Sequence, residues 1–459
     1  MIASTCLKTT TSRCLECGAP CPAEVVKSGE CPARVFLVRH CPEHGEQSVC
    51  ISSDARFYWL SQGADRDDST SCGGGGGCCS AAEGSATGTL GRNANVEAGT
   101  PVEVLSTCLA LIEIVDSCNL SCPTCYADSP VGVGKKLNFT PLADIRNRVQ
   151  GVIDRKGPIE ILQLSGGEPT LHPDFCELLA WTQEHPSIDY VLINTNGVRI
   201  ARDDAFAAEF GKVFRYGKAQ LYLQFDGPQA SGQAELRGAD LRALREQALA
   251  RCAEIGLPVT LAMTVTPATL PHLWDAVVFG LQFPHVRGIS FQPLFFSGRN
   301  GIAADAEERL NTADIIVNAV EQSNGQLRFE DFTPLPCGDP NCATIGYLLK
   351  TAEGIRSISE FVDFAAVQGF LQDRVRYQLE DLAQCGCESE PLGELLHQFE
   401  LDEKSTFRLF IKPFMDHASW DEDRIDRCCT HVIRPDGKLD SFCRYYANGG
   451  AAAFAGAKS

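Results

Sequence analysis

Six times between residues 109 and 294 the chain sets a short apolar run ahead of a few small polar residues. The runs are Leu109 to Val115, Ile159 to Leu164, Tyr190 to Ile193, Leu221 to Phe225, Val259 to Met263 and Gly288 to Leu294. Stretches of helical periodicity separate them. One opens at Thr140-Pro141, with threonine as N-cap, proline at the first helical position, and Leu142, Ile145, Val149 and Val152 along one face. Another carries Leu241, Leu244, Ala248, Leu249, Cys252 and Ile255 and closes at Gly256 and Pro258. Strands alternating with helices imply βαβ units, hence an α/β fold with a parallel sheet over residues 102–300. In a parallel barrel the loops at the C-terminal strand ends build the site. The small polar residues behind each run are therefore the candidate site.

The first of these loops reads Cys118-Asn-Leu-Ser-Cys122-Pro-Thr-Cys125-Tyr126. Three thiolates at this C-x3-C-x2-C spacing can wrap one face of a [4Fe–4S] cubane and leave one iron open to a small molecule. The second loop reads Ser165-Gly166-Gly167-Glu168-Pro169-Thr170. The two motifs together resemble the radical S-adenosylmethionine (SAM) superfamily. The resemblance implies a partial (β/α)6 barrel in which Cys118, Cys122 and Cys125 hold the catalytic cluster. It implies that SAM chelates the open iron and that one electron splits it to a 5′-deoxyadenosyl radical, which takes hydrogen from an unactivated carbon. It also carries SAM contacts to Gly166, Gly167, Glu168 and Pro169, and to Asn194 and Asn196. Asp226, Thr264 and Gln292 stand at comparable strand ends, where a turn or cap role is the alternative. Arg237 and Arg299 are candidates to pair with a carboxylate.

The 23 cysteines point to metal rather than disulfides in a long chain without an apolar leader at its start. Seven lie between Cys6 and Cys50. Among them Cys14-Leu-Glu-Cys17 and Cys41-Pro-Glu-His44 form two knuckles with the spacing of one tetrahedral metal site, with Cys21 or Cys31 as alternatives to His44. The strand pattern Arg34 to Arg39 lies between them. Residues 1–61 thus resemble a zinc-ribbon or rubredoxin-like knuckle holding one mononuclear zinc or iron. Residues 62–101, with Gly73 to Gly77 and Cys72, Cys78 and Cys79, read as a flexible linker. Cys108, Cys176 and Cys252 read as buried apolar residues.

Seven more cysteines lie in residues 301–446: Cys337, Cys342, Cys385, Cys387, Cys428, Cys429 and Cys443. They suffice for one auxiliary [4Fe–4S] cluster and part or all of a second. A helix is expected from Ala343, and a hairpin at Arg434-Pro-Asp-Gly437 that returns Cys443 toward Cys428 and Cys429. Residues 447–459 read as a tail. The knuckle, Pro-Leu-Pro-Cys-x4-Cys and the final Cys-Cys-x-His431 segment resemble one radical SAM branch. That branch contains archaeal tetraether lipid synthases and the enzymes that methylate the pterin precursor of methanopterin. It implies C-methylation or C–C coupling on a lipid or a heterocycle, with a low-potential donor such as flavodoxin or ferredoxin. A peptide-modifying radical SAM enzyme is the nearest alternative. A non-catalytic electron carrier would leave Gly166 to Pro169 unexplained. The net charge of −19 argues against nucleic acid as a partner, and no apolar run reaches the length of a membrane span, so a cytoplasmic protein is expected.

Overall fold

The computed structural model describes residues 4–59, 107–302, 309–335, 338–351, 353–361 and 405–450. The expected linker, its Cys72, Cys78 and Cys79, and Cys337, Cys385 and Cys387 lie outside the described residues, as does most of the expected tail.

The N-terminal module is a four-stranded antiparallel sheet in sequence order: β1 (Thr5–Arg13), β2 (Pro20–Lys27), β3 (Val35–Cys41) and β4 (Gly45–Ser52). Its core is small, comprising Ala23, Val25, Val35, Leu37 and Tyr58, so a bound metal would supply cohesion that packing cannot. The module docks on residues 416–424. Ser12 Oγ donates to the Trp420 carbonyl at 2.6 Å, Lys8 pairs with Asp421 at 2.7 Å, and the buried Arg39 guanidinium donates to the Ala418 carbonyl.

The six expected strands form in order: β5 (Leu109–Val115), β6 (Ile159–Gly166), β7 (Ile188–Thr195), β8 (Ala219–Gln224), β9 (Val259–Val265) and β10 (Val286–Pro293). All are parallel to their neighbours. Helices cover the outer face: α1 (Leu142–Lys156), α2 (Phe175–Glu184), α3 (Val198–Arg202), α4 (Asp204–Val213), α5 (Gln233–Arg237), α6 (Arg242–Glu254) and α7 (Leu273–Leu281). Helix α1 starts one residue later than expected, with Pro141 at the cap. The Thr140 amide donates instead to the Ile114 carbonyl at 3.0 Å, which holds Thr140 against β5. Cys108, Cys176 and Cys252 are buried as expected, and burial raises the thiol pKa of Cys176 and Cys252.

Two features differ from the sequence reading. Among the described residues the parallel array has eight strands, because β14 (Thr406–Ile411) pairs with β10 and β15 (Thr430–Ile433) pairs with β5. The C-terminal chain thus extends both edges of the barrel, and Lys412 Nζ donates to Thr430 Oγ1 at 2.7 Å across the remaining gap. The second is the segment after Ala343, which is strand β12 (Thr344–Thr351) rather than a helix, paired with the short strands β11 (Thr333–Pro334) and β13 (Gly354–Ser357). Its run of six buried residues, Thr344 to Leu349, needs cover on both faces, and it gains this by pairing antiparallel to β14. The hairpin is as expected, with β15 paired to β16 (Leu439–Ser441) and followed by helix α10 (Phe442–Ala447); α8 (Thr312–Gln322) and α9 (Glu422–Asp426) precede it.

Candidate active site

The loop leaving β5 is fixed at both ends. The Cys118 amide donates to the Pro130 carbonyl at 2.9 Å, and the Gly132 amide returns to the Cys118 carbonyl at 3.0 Å. Cys125 and Arg299 exchange backbone bonds at 2.7 and 3.0 Å. The Arg299 guanidinium donates to the Cys122 carbonyl at 2.9 Å and the Ser129 carbonyl at 3.1 Å, and reaches Asp128 at 3.3 Å. Arg299 therefore clamps the cysteine loop, a role that the expected carboxylate pairing only partly anticipates.

The loop leaving β6 lies directly on this one. The Gly167 amide donates to the Val115 carbonyl at 2.7 Å, and the Glu168 amide to the Ser117 carbonyl at 3.0 Å. A side chain at either glycine is excluded, since a Cβ at Gly166 would stand 2.1 Å from the Val115 oxygen and one at Gly167 2.2 Å from the Ser117 oxygen. The Glu168 carboxylate is fully buried and faces away from the cavity. It accepts from Thr170 N at 3.1 Å, Thr170 Oγ1 at 2.6 Å, Thr195 Oγ1 at 2.7 Å and Asn196 N at 2.8 Å. Gly166 and Gly167 line the cavity, while Glu168 and Pro169 sit behind it and fix the loop. Asn196 Nδ2 donates to Asn119 Oδ1 at 2.7 Å and lies 3.6 Å from Cys118 Sγ, and Asn194 reaches Ser165 Oγ at 3.2 Å.

Asp226, at φ +62°, is fully buried and makes a two-pronged pair with Arg237 at 2.6 and 2.8 Å. It also accepts from the Thr264 amide at 3.1 Å, and Arg237 donates to Thr264 Oγ1 at 2.8 Å. Burial alone would raise the Asp226 carboxyl pKa, but the Arg237 charge and these hydrogen bonds outweigh it and hold the group below the usual carboxylate range. Asp226 stands behind the wall and presents Arg237, which lines the cavity beside Cys122. Arg237, a candidate in the sequence to pair with a carboxylate, pairs with Asp226 of this chain, and its side chain is 9% exposed.

The three cysteines, Gly166, Gly167, Asn194, Asn196 and Arg237 face one cavity of about 350 Å³ inside the barrel. Cys118, Cys122 and Cys125, Asn194, Asn196, Thr264 and Gln292 line it near the C-terminal strand ends. Deeper in, the lining is mixed: Leu109, Leu111, Ile161, Leu192 and Ile289 face the cavity beside Gln163, Gln220, Tyr222 and Thr260. Gln292 Nε2 donates to Tyr222 Oη at 2.7 Å, and Gln220 bridges Tyr190 and Thr260, both at 3.4 Å.

A second donor set stands in the N-terminal module. Cys14 Sγ and Cys41 Sγ each lie 3.5 Å from His44 Nδ1, Cys17 Sγ lies 4.0 Å from Cys41 Sγ, and all four donors fall within 4.8 Å of one another. A tetrahedral zinc at about 2.3 Å from sulfur and about 2.0 Å from nitrogen separates its donors by about 3.5–3.8 Å, so the set fits. His44 and not Cys31, which is exposed, completes the group; Cys21 is buried against Cys14 and Cys41 without joining it. The Cys17 amide, bonded back to Cys14 in the knuckle, lowers that thiol to about 6.

Residues 112–279 match the radical SAM superfamily, and residues 6–53 match the HMPTM N-terminal zinc ribbon domain. The chain carries a radical SAM domain. It is 25% identical, over 95% of its length and 93% of the relative's, to a 7,8-dihydro-6-hydroxymethylpterin dimethyltransferase from Methanocaldococcus jannaschii. A shorter match of 41% identity to a GTP 3′,8-cyclase from Cronobacter sakazakii covers 22% of this chain and 30% of that enzyme. Among solved structures, Streptococcus suis SuiB bound to the precursor peptide SuiA aligns with a TM-score of 0.38 and 17% identity. The alignment covers 48% of this chain and about half, 47%, of SuiB.

The radical SAM loop has the chemistry to take a cluster. Burial pushes the Cys118 thiol up to about 12 and raises Cys122, so neither is a thiolate on its own. The Leu120 amide at 3.4 Å and Asn196 Nδ2 at 3.6 Å both point at Cys118 Sγ, and such N–H groups favour a metal-bound thiolate.

Four C-terminal cysteines are neighbours. Burial raises the thiols of Cys342, Cys428 and Cys443, and nearby cysteines add to it: Cys429 acts on Cys342 and Cys428, and Cys342 and Cys428 act on Cys443. Cys443 Sγ accepts from the Met415 amide at 3.2 Å, and Cys342 Sγ lies 3.8 Å from the buried Arg424 guanidinium. Cys428 instead donates to the Thr430 carbonyl at 3.1 Å. His431 is fully buried and burial lowers it to about 4. As a neutral ring it donates from Nε2 to the Cys428 carbonyl at 2.7 Å and accepts Thr107 Oγ1 at Nδ1, 3.0 Å away.

The zinc ribbon yields a prediction. Cys41→Ser is expected to lose about one zinc per chain and to lower the melting temperature, because the four donors replace a core that the module lacks. Metal analysis with calorimetry checks this; a variant that keeps its zinc would remove Cys41 from the site.

Proposed function

We propose that this radical SAM enzyme methylates a carbon of a polar heterocycle related to a pterin. Cys118, Cys122 and Cys125 would hold the catalytic cluster, and Gly166, Gly167, Asn194, Asn196 and Arg237 would bind SAM beside it. When bound, cluster and SAM supply a carbon radical able to remove hydrogen from an unactivated position. The chain's own residues supply the rest. Asn196 and the Leu120 amide stabilise the Cys118 thiolate. Arg237, fixed by Asp226, offers its charge to the SAM carboxylate. The barrel wall excludes water from the reacting carbon. Cys342, Cys428, Cys429 and Cys443 are proposed ligands of an auxiliary cluster, with Cys337 as a fifth candidate. The module boundaries near residues 61, 101, 300 and 446 are part of the same reading.

The observation that carries the choice of substrate is the lining of the cavity. Gln163, Gln220, Tyr222, Thr260, Ser290 and Gln292 face it. Several of these pair with one another, yet each amide keeps a further donor and acceptor site; a lipid chain would offer these no hydrogen bond, at a cost on the order of 1–3 kcal/mol for each polar group left unsatisfied. A heterocycle with ring nitrogens and an oxo group offers such bonds. The names of both sequence relatives, a pterin dimethyltransferase and a GTP cyclase, lie in the same direction. In anaerobic assays with SAM and dithionite, 6-hydroxymethyl-7,8-dihydropterin is expected to stimulate 5′-deoxyadenosine formation and a dispersed lipid is not. Stimulation by the lipid alone would overturn the reading.

A further inference from the structure

We propose that Lys412 is a substrate-binding residue whose ammonium holds an oxo oxygen of a planar heterocycle against the Phe414–Phe442 wall. The inference rests on the heterocycle reading above and names the side chain that selects for it. Lys412 follows β14, which the six-strand reading left out of the barrel. Inward positions alternate along this edge as Arg408, Phe410 and Lys412, all of which line the cavity. The Lys412 amide donates to the Phe291 carbonyl at 2.9 Å, which sets the residue at the level of Gln292. Gln292 is in register with Thr264, the residue that receives Arg237 beside the cluster cysteines. Lys412 thus stands two strand spacings, about 10 Å along the wall, from Thr264, enough for a bicyclic ring between them.

Its surroundings suit such a ring. Phe414 and Phe442 stack with centroids 4.1 Å apart, and the Lys412 ammonium lies 5.7 Å from the Phe414 ring. Tyr222 and Gln292 face the same space with a phenol and an amide. Lys412 Nζ donates one bond, to Thr430 Oγ1 at 2.7 Å, and makes no ion pair among the described residues. An ammonium has three donors, so capacity for ligand remains. A cationic donor at the edge of an aromatic wall favours a flat ring bearing an oxo or enolate oxygen over an alkyl chain.

The test is anaerobic equilibrium binding of 6-hydroxymethyl-7,8-dihydropterin, followed by fluorescence, to the full chain with its metals in place. Lys412→Met is expected to weaken binding about tenfold or more, and Lys412→Arg, which keeps the charge, by less than about threefold. A pteridine analogue lacking the oxo group is expected to bind wild type and Lys412→Met alike, a pattern that a merely structural role would not produce. Iron content and melting temperature verify that each variant is folded. Equal pterin affinity in wild type and Lys412→Met overturns the role of Lys412 and leaves the heterocycle reading standing. Failure of the wild type to bind the pterin overturns both.

Discussion

Cys122→Ala is expected to abolish 5′-deoxyadenosine formation and to remove about four iron atoms per chain, while the barrel stays folded. The physical argument separates the two effects. Cys122 is buried, and burial raises its thiol pKa, so without a cluster it is a neutral side chain close in size to alanine. Its loop is held by contacts that the substitution leaves alone, namely the Arg299 bonds to the Cys122 and Ser129 carbonyls and the backbone exchange with Cys125. The loss is therefore that of one thiolate from a three-thiolate face, and two ligands do not retain a cubane whose fourth iron already lacks a protein ligand. Iron analysis before and after substitution, with chromatography of the nucleoside product, checks it. Iron at the proposed auxiliary site of Cys342, Cys428, Cys429 and Cys443 is expected to persist in the variant. A variant that still cleaves SAM would remove Cys122 from the cluster.

Asp226→Ala is expected to carry the largest cost in stability, about 3–5 kcal/mol, with loss of SAM binding. The carboxylate is 1% exposed and its partner Arg237 9% exposed. Removing Asp226 leaves a buried guanidinium without its counter-charge, and the Thr264 amide loses its acceptor. The pair also sets a pH dependence. The folded pKa of Asp226 is depressed relative to the unfolded chain. Its contribution is therefore fully present above the unfolded value of about 3.9 and is lost as pH falls through the folded value. Asp226→Asn keeps the shape and removes the titration. Urea unfolding of wild type and Asp226→Asn is expected to give stabilities that differ most at neutral pH and converge below about pH 4. A difference that does not change with pH would mean that the carboxylate charge contributes nothing.

The six barrel strands were legible because each is a short apolar run closed by small polar residues, and because buried parallel strands need no alternation to be recognised. The cysteine loop and the glycine pair were legible because their spacing is local. Strand β14 was not. Its sequence, Thr406-Phe-Arg-Leu-Phe-Ile411, alternates, but it follows the barrel by more than a hundred residues, and only tertiary pairing makes it a barrel strand. Lys412 was hidden for the same reason. Strand β12 was mistaken for a helix because a proline-rich loop ahead of a run with Leu348 and Leu349 satisfies helix start rules, while the partner that makes it a strand lies about sixty residues on. Glu168 and its bonds to Thr170 lie within the motif, but that its carboxylate also turns to Thr195 and Asn196 is a property of the end of β7, not of the motif. Arg237 and Arg299 look alike in sequence, each a candidate to pair with a carboxylate. Burial distinguishes them, with one facing the cavity and the other clamping the cysteine loop.

Hydrogen transfer from the substrate tests the central claim most directly. The enzyme is reconstituted anaerobically and supplied with SAM, dithionite and 6-hydroxymethyl-7,8-dihydropterin carrying deuterium on its carbon positions. Mass spectrometry of the 5′-deoxyadenosine is expected to show one deuterium gained from the pterin, with more nucleoside formed than in its absence. Unlabelled 5′-deoxyadenosine formed at a rate indifferent to the pterin, by enzyme with its catalytic iron in place, would contradict the assignment of a polar heterocycle to this cavity.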